Sequence, residues 1–339
     1  MLNSIQLLRA IAAWLVVFHH YMQLAHNFKL SDMVSVGLFK YGAIGVDLFF
    51  IISGFVIYLS ATEKNQSPKV FAAHRLLRIA PAYWLFTLLT TAILLYTPGI
   101  VPLTQYDPLF LIKSLFFIPA QNPSGIGLFP IITVGWTLNF EITFYTIFFL
   151  SLYLPKRLLA PGIFIGVLVV HKTLPELGGS FTFFKNKIIY EFLFGICIAY
   201  AFQKGKIQKI PTVVAALMSI IAVSAIILYG PVNHNPLRSG LPCAAILLAA
   251  LSQERLFSRI GFLGKLGDWS YSTYLCHVLV IALMLKLQDA YGLNPWFTAA
   301  LIFTLIVAIS RTSYNLIEKP ISRLARTTPK PKPETSTAT

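Results

Sequence analysis

Ten apolar stretches run through this chain, and they restrict its fold more than any other feature of the sequence. A helix needs ~20 predominantly apolar residues to cross a bilayer, and several of the stretches reach that length. Charged residues make up 12% of the chain, against about 25% in soluble domains. The sequence therefore predicts an all-α fold, a polytopic integral membrane helical bundle with about ten transmembrane helices.

The predicted spans belong to one domain. We predict that residues 1–326 form a transmembrane domain and that 327–339 form a disordered cytoplasmic tail, because that tail is rich in proline, threonine and lysine. The long loop 97–135 is predicted to carry an interfacial segment around 109–117. The predicted spans are 5–25, 42–60, 80–96, 136–154, 158–171, 188–202, 210–229, 237–251, 269–288 and 296–315.

The distribution of lysine and arginine predicts the orientation of the chain. Loops that share a side with both termini hold most of the basic residues, including Lys156, Arg157 and the lysines within 204–209. By the positive-inside rule, both termini are predicted to be cytoplasmic. The basic loop residues that determine this orientation therefore account for the net charge of +15. No basic, aromatic-rich soluble stretch favours binding to nucleic acid.

The first predicted span contains an arginine and two histidines among apolar residues. Arg9, His19 and His20 lie within 5–25, where a charged side chain at mid-bilayer costs roughly 2.5–3.5 kcal/mol and usually faces a bundle interior. Arg9 and His20 are eleven residues apart, so on a helix they share one stripe and lie about 16 Å apart. This spacing favours a ligand held lengthwise. His19 points away from that stripe and is predicted to pack against a neighbouring helix.

Three titratable side chains are predicted to lie at one depth in the membrane. His20, Asp47 and Glu141 each lie about five residues from the outer end of their span, roughly 7–8 Å below the surface. We predict that they meet as a catalytic cluster, in which a carboxylate orients the histidine and stabilises it as a general base. His277 is predicted to lie somewhat deeper. A structural hydrogen-bond network among these residues is the alternative.

Four arginines are predicted at the opposite, cytoplasmic face. Arg75 and Arg78 are three residues apart, so on a helix they share a face. Both can then form bidentate hydrogen bonds with phosphate groups. Together with Arg9 and Arg311, they predict a cationic mouth for an anionic ligand that enters from the cytoplasm. The alternatives are that Arg75 and Arg78 contact lipid headgroups and that Arg9 snorkels to the interface.

The three cysteines predict neither a disulfide framework nor a metal site. Cys197, Cys243 and Cys276 lie in separate apolar stretches without the spacing of metal ligands. We therefore expect a site that works without a metal ion.

Several short motifs follow one another along the chain. They are Arg9 with His20; 45–55; Arg75, Arg78, Ile79, Pro81, Tyr83 and Trp84; Trp136, Thr137, Leu138, Glu141, Phe144 and Tyr145; 270–277; and 317–320. From residue 5 to about 323, the chain thereby resembles the membrane-bound acyltransferase-3 family. Within that family it resembles the bacterial exopolysaccharide and lipopolysaccharide O-acetyltransferases.

The resemblance implies an O-acyltransferase of the bacterial inner membrane. It implies acetyl-CoA as the acyl donor, bound from the cytoplasm, and a sugar hydroxyl of a polysaccharide or lipid-linked sugar as the acceptor. It also implies that His20 is the catalytic residue and that Arg9, Arg75 and Arg78 bind the donor or are otherwise essential. Direct attack by the hydroxyl and transfer by way of an acetyl-histidine both remain open. Some members carry a fused esterase-like domain, which we do not expect here.

Other functions are alternatives to this one. Peptidoglycan sugars, glycolipids and small metabolites are alternative acceptors. A transporter of polysaccharide or lipid-linked sugar is a second class, because intramembrane polar residues also line transport paths. A non-catalytic scaffold of an export complex is a third. The sequence shows no internal repeat with paired broken helices, which disfavours transport. Membrane lipids are the other expected partners, and the sequence predicts no oligomeric state.

Overall fold

The computed structural model describes residues 2–26, 30, 32–101 and 104–326, in which helices are joined by turns and loops and no strand occurs. The predicted all-α fold is thus confirmed for them, whereas the predicted tail 327–339 lies outside the described residues. The helices are α1 (Asn3–Ala25), α2 (Met33–Tyr41), α3 (Ile44–Glu63), α4 (Pro68–Tyr96), α5 (Pro108–Leu115), α6 (Trp136–Ser151), α7 (Leu159–Thr173), α8 (Glu191–Gln203), α9 (Thr212–Leu228), α10 (Leu241–Ser252), α11 (Gly261–Tyr291), α12 (Pro295–Ser313) and α13 (Lys319–Arg326).

Six helical segments of the described chain are long and apolar enough to cross a membrane. Each predicted span overlaps a helix, but the predicted count of about ten is not confirmed. The helix α9 is apolar but shorter, and so is Pro236–Ser252, which contains α10. The predicted interfacial segment coincides with α5. The six segments are Asn3–Ala25, Met33–Glu63, Pro68–Tyr96, Lys156–Leu177, Gly261–Tyr291 and Pro295–Arg323.

The bundle has apolar side chains on its surface and several polar side chains inside. Ile220 and Ile221 of α9 are 61% and 66% exposed, whereas Asp47, Glu191 and His277 are 0% exposed. A protein surrounded by lipid keeps ionisable groups in its interior, where they mark functional sites. The buried ionisable side chains therefore indicate a functional site in the interior of this bundle.

Two helices extend beyond their predicted spans at the basic side. The helix α4 begins at Pro68, not near residue 80, and proline suits the start of a helix because it has no N–H to leave unpaired. Arg75 and Arg78 consequently lie within α4, about one turn apart. The helix α11 begins at Gly261, ahead of the predicted residue 269. The side chains of Arg75 and Arg78 are thus positioned by a regular helix.

Glycines allow two pairs of helices to touch backbone to backbone. A Cβ added to Gly54 in α3 would lie 2.1 Å from the carbonyl oxygen of Phe192 in α8. A Cβ on Gly267 in α11 would lie 2.1 Å from the carbonyl oxygen of Gln6 in α1. Small residues at such points let helices in a bilayer gain van der Waals contact. The close contacts fix α3 relative to α8 and α1 relative to α11.

Gly54→Ala is expected to lower the melting temperature, because the added methyl group forces α3 and α8 apart. Overpacking of this kind typically costs about 1–3 kcal/mol. The matched control is Gly37→Ala in α2, where a Cβ meets nothing within 4 Å. Thermal unfolding of both variants in detergent gives the comparison. Equal melting temperatures for the two variants would contradict the close contact between α3 and α8.

Candidate active site

A cavity between α1, α3, α4, α6, α8 and α11 is lined by four charged side chains. Its volume is about 920 Å³, including its open mouth. Nine apolar side chains line part of it, among them Phe49, Phe50, Leu138 and Phe192. The polar lining residues are Arg9, Ser53, Arg75, Arg78, Thr137, Glu141, Tyr145, Ser270, Tyr271 and Tyr274. We call this space the arginine cavity.

Three of the four arginines predicted to bind the donor line the arginine cavity. Arg9 of α1 is 7% exposed, and Arg75 of α4 donates from Nη2 to Ser60 Oγ at 2.8 Å. The Arg75 guanidinium also lies 5.4 Å from the centre of the Phe71 ring. Arg78 lines the same cavity from a more exposed position. Guanidinium groups arranged in this way suit phosphate, which they bind with paired, charge-assisted hydrogen bonds.

Two buried polar atoms in the lining lack a hydrogen-bond partner within the described residues. They are Nε of Arg75 and Oγ of Ser270. A buried donor left unpaired costs ~1–3 kcal/mol, so a native protein rarely keeps one without reason. A ligand with acceptor oxygens in the cavity would recover that free energy. These atoms therefore fit an anionic, oxygen-rich ligand.

Glu141 lies in the arginine cavity, on the α6 side. Its carboxylate accepts a short hydrogen bond from the Tyr145 hydroxyl and a longer one, 3.4 Å, from Ser53 Oγ. Glu141 also interacts electrostatically with Arg9 and Arg75. Glu141 therefore places a negative charge among the cavity's arginines and holds the Tyr145 side chain in place.

His20 pairs with another histidine, His277 of α11. Nδ1 of His20 lies 3.2 Å from Nε2 of His277 and 3.0 Å from the Val16 carbonyl oxygen. Nδ1 of His277 lies 3.1 Å from the carbonyl oxygen of Thr273. His277 is 0% exposed, and the two ring centroids are 5.0 Å apart. The histidine pair is thus held between α1 and α11.

Tyr274 connects the arginine cavity with the histidine pair. Its ring lines the cavity and lies 5.9 Å, centre to centre, from the ring of His277. Its hydroxyl donates to the Val134 carbonyl oxygen at 2.9 Å and lies 3.0 Å from Thr137 Oγ. The order along the site is therefore arginine cavity, Tyr274, His277 and His20. The cationic groups and the histidine pair thus lie on either side of Tyr274.

The predicted cluster of His20, Asp47 and Glu141 does not form. Asp47, 0% exposed, binds Nδ1 of His234 through Oδ2 at 2.9 Å and lies beside buried Glu191. An equal distance from the helix end predicts an equal depth in the membrane. It does not determine the direction in which a side chain points around the helix axis. Asp47 faces α8 and the segment before α10, whereas His20 faces α11. The catalytic roles of Asp47 and Glu141 stay predictions, without contact to His20 in the described residues.

The structure does not bring Arg311 to the arginine cavity. Arg311 lies near the end of α12 with an exposed side chain, whereas its neighbour Ser310 is 0% exposed and bonds Thr273. Successive helical residues point about 100° apart, so the face of α12 that packs on α11 turns Arg311 away. His19 packs as predicted on a neighbouring helix, with its ring stacked on Phe39 of α2.

Sequence reasoning missed His234 and Glu191, the partners of Asp47. His234 lies in an irregular segment with a left-handed backbone conformation, φ 56°, and its ring lies 5.5 Å from the Trp136 ring. It is 187 residues from Asp47 along the chain, so no local pattern signals the contact. Glu191 is an acidic residue at the start of an apolar helix, and that position alone was a usable signal.

The fold and the site define a multi-pass membrane protein with an internal arginine cavity and a histidine pair between α1 and α11. The sequence profile of the acyltransferase-3 family, described as an acyltransferase domain, matches residues 2–311. The chain belongs to this family, as the resemblance predicted, and it is an acyltransferase.

Three relatives show how far the similarity extends. The exopolysaccharide production protein ExoZ of Rhizobium meliloti (strain 1021) is 30% identical, over 92% of this chain and 96% of its own length. The acyltransferase MdmB of Streptomyces mycarofaciens is 26% identical, over 95% and 92%. The peptidoglycan O-acetyltransferase OatA of Listeria monocytogenes is 28% identical over 94% of this chain, but only 56% of its own length is matched. No solved structure matches this chain.

Proposed function

We propose that this protein transfers an acetyl group from acetyl-CoA to a hydroxyl of a cell-surface or exported polysaccharide sugar. It would act in the bacterial inner membrane with both termini in the cytoplasm, so that the donor enters from the cytoplasm. The observation that carries the proposal is the arginine cavity, whose lining residue Tyr274 lies next to His277 of the histidine pair. We propose that the donor follows this path from the anion site to the base.

The shape and charge of acetyl-CoA suit this path. Its phosphates match Arg9, Arg75 and Arg78, and its acceptor oxygens match the unpaired Nε of Arg75. The slender pantetheine arm suits the apolar part of the lining. Arg9 and His20 are about 16 Å apart along α1, a plausible length for that arm. The thioester then comes to the histidine end of the path.

The chemistry proposed for His20 is general base catalysis. The imidazole takes the proton of the sugar hydroxyl as the hydroxyl oxygen attacks the thioester carbon, and it passes that proton to the departing thiolate. The alternative is an acetyl group carried transiently on His20. Both routes need an unprotonated ring nitrogen that faces the thioester.

The names of the relatives support a polysaccharide acceptor. ExoZ, matched over nearly its full length, is an exopolysaccharide production protein, and OatA is a peptidoglycan O-acetyltransferase. MdmB carries only the general name acyltransferase. We propose exported polysaccharide as the acceptor class because ExoZ, matched over 96% of its own length, is named for exopolysaccharide.

Acetyl-CoA is expected to raise the melting temperature of the purified protein. A ligand that binds only the folded state at 100 times its Kd stabilises that state by about 2.7 kcal/mol. Acetyl-pantetheine, which lacks the nucleotide and its phosphates, is the matched compound and is expected to give a much smaller shift. Thermal unfolding in detergent with each compound measures the difference. Equal shifts, or none with either, would overturn the donor site proposed for the arginines.

A further inference from the structure

The hydrogen bonds around His277 assign the proton positions of both histidines in the pair. Nδ1 of His277 lies 3.1 Å from the Thr273 carbonyl oxygen, which can only accept a hydrogen bond. Nδ1 therefore carries the proton. His277 is 0% exposed, and burial of a charged ring without a carboxylate partner is costly, so the ring is neutral. In a neutral imidazole with Nδ1 protonated, Nε2 carries the lone pair.

This assignment determines the tautomer of His20. Nδ1 of His20 lies 3.2 Å from Nε2 of His277 and 3.0 Å from the Val16 carbonyl oxygen. Both neighbours are acceptors, so Nδ1 of His20 carries a proton that the two acceptors share. The lone pair of neutral His20 is then on Nε2. The ring presents one defined basic nitrogen.

We propose that His277 is the positioning residue of the reaction, which holds His20 in the tautomer with a basic Nε2. The proposal rests on the proposed function for the chemistry that follows. Nε2 of His20 takes the hydroxyl proton while the hydroxyl oxygen bonds to the thioester carbon. The carbon–sulfur bond breaks, and the proton passes from Nε2 to the thiolate. Throughout, Nε2 of His277 accepts the hydrogen bond from Nδ1 of His20.

A neutral partner suits the place of this pair in the molecule. Soluble hydrolases use a buried carboxylate to orient the histidine and to stabilise it when it is protonated. A carboxylate buried next to a neutral histidine inside a membrane bundle would carry a large desolvation cost. His277 supplies the orienting hydrogen bond without that charge. The carboxylate of Asp47, which sequence reasoning placed here, instead binds His234.

Activity measurements on two variants of His277 test the role of its acceptor. His277→Leu removes the acceptor, and we expect kcat to fall about 10²-fold while KM for acetyl-CoA stays within about twofold. His277→Gln keeps an acceptor near the position of Nε2, and we expect it to restore kcat to within about tenfold of wild type. The matched control is His171→Leu in α7, where the histidine also bonds a carbonyl oxygen, that of Phe184. It is expected to keep wild-type kcat.

Nitrogen NMR of histidine-labelled protein in nanodiscs tests the tautomer without any turnover. We expect the wild type to show His20 with Nδ1 protonated and Nε2 unprotonated, and His277→Leu to show a mixture of tautomers. A wild-type His20 protonated on Nε2, or wild-type kcat in His277→Leu, would overturn the proposal. If His20→Ala keeps its activity while the tautomer is as assigned, the proposed function of His20 fails and the pairing stands.

Discussion

His20→Ala is expected to lower the rate of acetyl transfer by about 10³-fold, the middle of the range that a general base contributes. The side chain is paired with His277 and is not among the residues that line the arginine cavity. Donor binding should therefore stay close to that of the wild type. Transfer of labelled acetyl groups in proteoliposomes and the acetyl-CoA-dependent thermal shift measure the two effects separately.

The control for this prediction is His171→Ala, which removes a histidine outside the site. It is expected to keep both transfer and donor binding. Substantial transfer by His20→Ala would show that another group is the base, and His234, bound to Asp47, is the next candidate. A stable acetyl adduct on His20, recovered after incubation with donor alone, would count against direct attack by the hydroxyl.

Arg75→Ala is expected to weaken acetyl-CoA binding by about 10- to 100-fold, since a hydrogen bond to a charged group is worth ~1.5–3 kcal/mol. Arg75 lines the cavity, and its buried Nε has no hydrogen-bond acceptor among the described residues. The guanidinium is also held by Ser60 and lies over the Phe71 ring, so it is already oriented in the absence of ligand. Titration calorimetry with a non-transferable CoA analogue measures the loss of affinity directly.

Arg157→Ala is the matched control for Arg75→Ala. Arg157 is an exposed arginine in the short helical turn before α7 and does not line the cavity. Its removal takes away the same charge and should leave affinity unchanged. A similar loss in both variants would mean that the effect comes from the overall positive charge and not from a specific contact.

Much of the fold was predictable because its signal is local. Apolar stretches of the required length mark helices, and each predicted span overlaps one. The positions of Arg9, Arg75 and Arg78 at one cavity were also predictable, because the three residues lie near the same ends of their helices. Helix ends were less predictable, since the start of α4 at Pro68 lies in a polar segment outside the apolar run.

The partners of the buried polar residues were not predictable, for a geometric reason. Position along a span gives depth, but which neighbour a side chain meets depends on how each helix is rotated and on which helix lies beside it. Asp47 and His20 are predicted at similar depths, yet one contacts His234 and the other contacts His277. Those contacts join residues 187 and 257 positions apart, and nothing in the local sequence links them.

The backbone contact between α3 and α8 also has a consequence for the width of the arginine cavity. At Gly54 and Gly195 the backbones of these helices are in direct contact. Phe50 of α3 and Phe192 of α8, whose ring centres are 4.7 Å apart, line the cavity. That side of the cavity therefore has a fixed width, and under the proposed function this width limits the room for the pantetheine arm of the donor. We expect a wider cavity to come from truncating one of the two phenylalanines, because the helices themselves are already in contact.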